Sequence, residues 1–186
     1  MPSPISLRLG DTGTPKDDTG VLPVVIVLDR LRSAFNVGNI LRVAEAVRAQ
    51  EILACGYTPC PPHEKLAKTA RGCEQLVPCR HFETAADAID SLHRQHYTVY
   101  AIDTVCQAKF YYQETLSFPL ALVFGNEALG ISQEALQKCD GFLQLPARGC
   151  KNSINVGNCA AVLLFETLRQ FDEKCCKTRK VDYIPQ

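Results

Sequence analysis

Residues 145–166 read LPARGCKNSINVGNCAAVLLFE and set a Pro, two Gly, a Ser and three Asn between a short strand-like run and an apolar helical run. A polar loop feeding a helix N-terminus is where α/β proteins hold ligands, because the unpaired N–H groups of the first helical turn converge with the strand ends. Four residues of the stretch, Asn155-Val156-Gly157-Asn158, also occur as Asn36-Val37-Gly38-Asn39, again ahead of a helix-like run. Two helix starts with similar capping needs are expected.

Working outward, strand and helix patterns alternate along the chain. Residues 24–28 and 120–124 are continuous apolar runs, the mark of strands buried on both faces. Four further strands are expected at 51–55, 76–79, 98–102 and 142–145, with helices from 40 to 50, from 84 to 96 under a Thr84 cap, a short one from Ser132, and the longest over 155–171. Residues 56–72 hold Pro59, Pro61 and Pro62 and are expected to be mostly loop, with room for one helical turn; 105–119 form an aromatic connection. The sum is an α/β layer architecture with a mainly parallel six-stranded sheet flanked by helices. Residues 1–22, rich in Pro, Ser, Thr, Gly and Asp, are expected to be a flexible tail, 23–172 the folded domain, and 173–186 a basic tail.

The 186 residues are 46% hydrophobic and 22% charged with zero formal net charge, which suits one ordinary domain and requires any nucleic-acid partner to meet a local basic face. Ten cysteines stand without a Cys-x-x-Cys pair, and the Met1-Pro2-Ser3-Pro4 start lacks the basic and apolar regions of a secretion signal. Most cysteines are read as small buried hydrophobes in a reducing cytoplasm. No apolar run approaches the roughly twenty residues that span a bilayer.

Several chemistries are excluded. The turn after the first strand reads Asp29-Arg30-Leu31-Arg32-Ser33, without a dinucleotide-binding glycine fingerprint; 125–130 has P-loop glycine spacing but no Lys-Ser/Thr; and no Gly-x-Ser-x-Gly elbow exists. Asp90, His93 and His96 share a helix but lack a further metal ligand, and a solvated face is expected there. What remains is three loops, each after a buried strand, which a parallel sheet brings to one edge.

In those loops, Asn36-x-Gly38-x-x-x-Arg42, then Val123-Phe124-Gly125-Asn126-Glu127-x-x-Gly130-Ile131, then Leu145-Pro146-x-x-Gly149-x-x-x-Ser153-Ile154-Asn155-Val156, with Glu166 closing the run, resemble the three ordered motifs of the SpoU-like (TrmH-type) RNA 2'-O-ribose methyltransferases. The resemblance covers 24–171, and 68–74 is similar to a further segment of that family. It implies a SPOUT fold with a C-terminal deep trefoil knot, a homodimer, S-adenosylmethionine as cofactor, and a tRNA or rRNA ribose as substrate in the cytoplasm. By position, Asn36, Arg42, Glu127, Ser153 and Asn155 take the catalytic places, and Phe124, Gly125, Asn126, Glu127, Gly130, Ile131, Leu145, Pro146, Gly149, Ser153, Ile154 and Asn155 the cofactor places. The chain departs from the family pattern at Ala128, Ala147 and Gly157-Asn158. No metal is implied.

Each residue has a plainer use. Asn36 and Asn155 could cap helices, Arg42 could be a solvated residue, Glu127 could serve a helix dipole, and Ser153 could be an ordinary loop hydroxyl. The chemistry nonetheless suits them, since transfer of a methyl from a sulfonium to a hydroxyl asks for a dry, preorganised polar pocket. The family assigns deprotonation to Arg42, but a guanidinium is a poor base at neutral pH and could instead clamp a phosphate. RNA contact is expected at Arg30, Arg32, Arg42, Lys65, Lys68 and Arg71 and at Lys177, Arg179 and Lys180 in the tail. The alternatives are a non-catalytic RNA-binding dimer of the same fold and an α/β enzyme acting on a small molecule.

Overall fold

Two strands carry the centre of the molecule, β1 (Leu22–Asp29) and β6 (Leu120–Gly125), paired in parallel with Val24 opposite Leu120 and Asp29 opposite Gly125. The computed structural model describes residues 20–181, with side chains to residue 176. Around the two central strands, β2 (Ala49–Cys55), β3 (Cys79–Phe82), β4 (Thr98–Ile102), β5 (Lys109–Phe110) and β7 (Gly141–Gln144) complete a sheet of order β3-β2-β1-β6-β4-β7-β5. Every pairing is parallel. The sheet thus has seven strands and not six: β5 is a two-residue edge strand in the aromatic connection, too short to leave a period-two signal.

Helices cover both faces. Alternation along β1 sends Val24, Ile26 and Leu28 into a core with α1 (Ala34–Ala46), α2 (Glu64–Ala70) and α5 (Val156–Val181), and sends Val25 and Val27 into a second core with α3 (Ala85–His93) and α4 (Gln133–Lys138). Burying strands on both faces is why they read as unbroken apolar runs, each Leu or Ile contributing about 1.5–3 kcal/mol of transfer free energy.

Several boundaries differ from the sequence expectation. Strand β1 begins at the buried Leu22, inside the stretch expected to be tail; residues 1–19 lie outside the described residues. Helix α1 starts at Ala34, because Ser33 caps it by accepting from the Asn36 N–H at 3.3 Å, so Asn36 is already inside the helix. Residues 64–70 form α2, capped by His63, seven residues of helix where mostly loop with room for one helical turn is expected; the prolines all precede it. Strand β3 occupies 79–82, a short half-turn of 3-10 helix at Cys73–Gln75 taking up part of the slack. Thr84 caps α3 as expected, accepting from the Asp87 N–H at 3.1 Å. Helix α5 continues to Val181, so the basic segment begins on a helix; the side chains of Lys177, Arg179 and Lys180 lie outside the described residues.

The crevice follows from topology. From β1 the chain passes to α1 on one face, whereas from β6 it passes to α4 on the other, so the loops after these adjacent parallel strands diverge and leave an opening at their carboxyl ends. Asp29, 2% exposed, stitches the two loops by accepting from the Ser132 N–H at 2.6 Å and from Arg30 Nε at 3.1 Å.

Candidate functional site

The three sequence-marked loops meet through a directed hydrogen-bond chain. Glu127, in the loop after β6, accepts from the Arg32 N–H at 3.1 Å, the Ser33 N–H at 3.2 Å and Asn36 Nδ2 at 2.8 Å. A carboxylate offers only acceptors, so Asn36 must present its amide nitrogen and leave its oxygen free. That oxygen accepts from Asn155 Nδ2 at 3.0 Å, and the Asn155 oxygen in turn accepts from the Gly157 and Asn158 N–H groups at 2.9 and 3.4 Å. The orientation of both amides is therefore set by the charge of Glu127 at one end and the first turn of α5 at the other. Asn155 is both the cap of α5 and a link to α1; Asn36 is no cap at all.

Burial works to raise the Glu127 carboxyl, but the donors from Arg32, Asn36 and Ser33 outweigh it and hold the group below its ordinary range. Glu127 is consequently a fixed anion and a weak base. Its position at the end of β6 depends on Gly125, whose hypothetical Cβ would lie 2.3 Å from the backbone of Gly130 and Ile131 where the loop folds back on itself. Gly130 closes that fold at φ +69°, paired with Asn126. The Asn126 side chain is spent on the loop, donating to the Arg30 carbonyl at 2.7 Å and accepting from the Ala128 N–H at 2.8 Å.

Beside this chain lies a cavity of about 380 Å³, lined from three loops and the start of α5. Gly125, Asn126, Glu127, Gly130, Leu145, Pro146, Ser153, Ile154 and Asn155, all expected at the cofactor, line it. Phe124, Ile131 and Gly149 do not: Phe124 is 1% exposed in one core, Ile131 is 5% exposed in the other, and Gly149 faces open space with nothing within 4 Å of a hypothetical Cβ. Along β6 successive side chains alternate between faces, so neighbouring motif residues cannot all face one cavity. Asp103 and Thr104 after β4, Gln144 at the end of β7, and Cys159 on α5 also line it and carried no mark in the sequence reading. Asp103 was nevertheless findable as the first polar residue after a buried strand, at the same sheet edge as Asp29.

The residues present fit a nucleoside-bearing cofactor. The volume falls in the roughly 300–1,000 Å³ range of small-molecule sites. Ile102, Leu145, Pro146, Ile154 and Val156 supply apolar walls for a base, and Asp103 and Glu127 supply negative charge for a cationic donor.

The expected RNA contacts divide. Arg42 is exposed on α1 and lies outside the cavity lining, with its charge felt at Cys73. Arg32, Lys65 and Lys68 line a second hollow of about 530 Å³ with Ser33, Phe35 and His63, next to the backbone that holds Glu127. Arg71, at φ 52°, ends α2 and is exposed. Arg30 is tied to Asp29 and holds the β1 turn at φ 55°, a structural use.

Elsewhere, His93 pairs with Asp140 at 3.1 Å and Asp90 with Lys138 at 2.5 Å. No group of three or more His, Cys, Asp or Glu comes together among the described residues. Of the ten cysteines only Cys55 is fully buried, while Cys106, Cys150 and Cys176 are exposed, which corrects the expectation that most are core residues.

A parallel sheet with a cofactor-sized crevice at its carboxyl edge defines the class: an α/β protein with a cavity between the loops after β4, β6 and β7. Residues 23–165 match the model of the SpoU rRNA Methylase family, and the chain belongs to that family. It is similar to the tRNA (guanosine(18)-2'-O)-methyltransferase of Thermus thermophilus, 32% identical over 147 residues that cover 79% of this chain and 75% of that protein. It also resembles the 23S rRNA (guanosine-2'-O-)-methyltransferase RlmB of Vibrio parahaemolyticus, 30% identical over 149 residues, 80% of this chain and 60% of that protein. Among solved structures, the AdoMet-bound rRNA methyltransferase from Sinorhizobium meliloti superposes with a TM-score of 0.72 at 24% identity, over 81% of this chain and 60% of that one, which shows the shared fold. The chain spans about three fifths of the length of several curated relatives, 61% and 59% in two staphylococcal cases. No helix among the described residues is long and apolar enough to cross a membrane.

Proposed function

We propose that this chain transfers a methyl group from S-adenosylmethionine to the 2'-hydroxyl of a ribose in tRNA or rRNA. The observation that carries the reading is the Glu127–Asn36–Asn155 chain at the edge of a nucleoside-sized cavity, which joins the family's three motifs in one polar array. The activities of the Thermus and Vibrio relatives support it, as does the fold shared with the AdoMet-bound Sinorhizobium protein.

In this reading the bound cofactor supplies an electrophilic methyl, and the chain supplies position and charge. Asn155, its amide locked by the buried Asn36, holds the acceptor hydroxyl in one geometry, and the exposed Ser153 offers a further hydroxyl at the cavity wall. Glu127 anchors the array and does not take the proton, because its donors keep it ionised and occupied. Arg42 clamps an RNA phosphate from the exposed face of α1, and Arg32, Lys65 and Lys68 guide the backbone into the adjoining hollow.

The same proposal includes a homodimer, a cytoplasmic setting, and threading of residues 145–155 into a trefoil knot. Supporting the dimer, Phe35 on α1, Ile154 just before α5, and Val162 and Phe165 on α5 are 70%, 50%, 37% and 52% exposed, large apolar side chains left in solvent on and beside two helices that pack together.

The test is transfer of labelled methyl from S-adenosylmethionine to total tRNA and rRNA, with the modified ribose mapped. Transfer to a base in place of a ribose, or RNA binding without any cofactor binding, would overturn the reading, the second outcome in favour of a non-catalytic RNA-binding dimer.

A further inference from the structure

Of the two carboxylates that line the cavity, Asp103 keeps the greater acceptor capacity. Glu127 already accepts from three donors, Asn126 and Asn155 are committed to loop and cap, and the Gln144 amide nitrogen donates to the Ala108 carbonyl at 2.8 Å. Asp103, half-buried directly after β4, accepts from the Thr104 N–H at 2.7 Å on one oxygen and from the Ile131 N–H at a long 3.4 Å on the other. An ionised carboxyl can accept about four hydrogen bonds, so about two positions remain. They are not aimed at bulk solvent alone: Asp103 lines the cavity, Oδ2 lies 3.1 Å from where a Gly130 Cβ would stand, and its charge reaches Cys159 on α5, adding to the burial that pushes that thiol up to about 12.

Position decides which part of a ligand Asp103 meets. The reacting array sits beyond β1, at Asn36, whereas Asp103 follows β4, and the sheet order β1-β6-β4 puts those strand ends two spacings, about 10 Å, apart. The methyl donor must face the Asn36 end, so the non-reacting nucleoside extends toward β4. There the walls are apolar at Ile102, Leu145 and Pro146, and Asp103 is the anionic acceptor among them. Two adjacent hydroxyls with parallel O–H donors match the two oxygens of one carboxylate, the arrangement by which an acidic residue at a strand end holds the ribose of a dinucleotide.

We propose that Asp103 binds the 2',3'-diol of the cofactor's own ribose and thereby selects a ribonucleoside donor. This rests on the reading of the cavity as a cofactor site. Asp103 touches the non-reacting part of the ligand, so its effect belongs to affinity and not to the chemical step.

The experiment is calorimetric binding of S-adenosylhomocysteine, 5'-methylthioadenosine and the 2'-deoxy and 3'-deoxy forms of S-adenosylhomocysteine to the wild-type protein, D103N and D103A, with unliganded thermal unfolding to check folding. Loss of a charge-assisted pair of hydrogen bonds predicts roughly 10- to 100-fold weaker binding of both ribonucleosides to D103A, with D103N between. Each deoxy form keeps one of the two hydroxyls, so its loss from wild type to D103A should be clearly smaller than the parent's, roughly 3- to 10-fold. Equal losses for parent and deoxy ligands would mean that Asp103 only holds the loop at Ile131, and a loss for S-adenosylhomocysteine without one for methylthioadenosine would mean that it faces the amino-acid ammonium. Either result sinks the proposal. Wild type that binds neither ribonucleoside sinks the cofactor reading itself.

Discussion

The chain contains Asn-Val-Gly-Asn twice, and the two copies do different work. At 36–39 the tetrapeptide lies inside α1 behind a Ser33 cap; at 155–158 its Asn155 is the cap of α5. Gly38 lets α1 press on α2, where a Cβ would stand 2.1 Å from Thr69 Oγ1, whereas Gly157 makes room for Asn39, whose Nδ2 would be 2.6 Å away. The copies also touch each other, through the Asn155-to-Asn36 hydrogen bond and the Asn39–Gly157 contact. Identical local sequence therefore yields one buried, charge-oriented amide and one exposed helix cap, because three residues upstream Ser33 already meets the capping need in the first copy.

The contrast predicts unequal consequences for equal substitutions. Asn36→Ala should lower methyl transfer on the order of 100-fold, because the amide that orients Asn155 is lost and Glu127 is left with an unfilled position. Asn155→Ala should act mainly on cofactor affinity and cost α5 about 1 kcal/mol of cap. Steady-state kinetics beside calorimetry separates the two, and identical profiles for both variants would dissolve the distinction. Arg42→Ala should abolish transfer while leaving cofactor affinity within about twofold, since Arg42 stands outside the cavity; near wild-type turnover would remove it from the reaction.

Stability should show the second-largest difference. Gly38→Ala forces a methyl against Thr69 Cβ, 2.6 Å away, and an adjoining backbone nitrogen 3.0 Å away, so about 2–3 kcal/mol of overpacking is expected in denaturant melts. Gly157→Ala meets the far end of a side chain and should cost about 1 kcal/mol, recoverable in the Gly157→Ala/Asn39→Ala double variant. Failure of the double variant to recover would mean that something other than Asn39 crowds the site. Ser33→Ala should cost about 1 kcal/mol, the counterpart of Asn155→Ala.

The smallest effect concerns pH. Glu127 has a folded pKa below its ordinary value of 4.5, so it binds fewer protons in the folded than in the unfolded state. Its contribution is present above pH 4.5 and is lost as pH falls through the lower folded value. Glu127→Gln should flatten melting temperature against pH below that point and leave it unchanged in slope near neutrality; a wild-type-like acid slope would place the titrating group elsewhere.

The central strands were legible because β1 and β6 are buried on both faces and so carry no polar interruption. Helix α2 was hidden by Pro59, Pro61 and Pro62, which break the chain before it and not within it, and β5 by its two-residue length. In the site, the motif order groups Asn36, Glu127 and Asn155, which the hydrogen bonds bring together, yet it also carries along Phe124 and Ile131, which are buried in opposite cores. Asp103 had no motif to mark it, and its relevance depends on β4 lying next to β6, a pairing between residues far apart in the chain.

By itself the sequence determined the layer architecture, the three loops and the family, because periodicity, turn residues and ordered motifs are local properties of the chain. Only the tertiary structure decided which of two identical tetrapeptides caps a helix, which way the amides point and which carboxylate keeps more room for a ligand. Those outcomes depend on donors brought from distant segments, and a hydrogen bond's direction is settled by what each partner lacks.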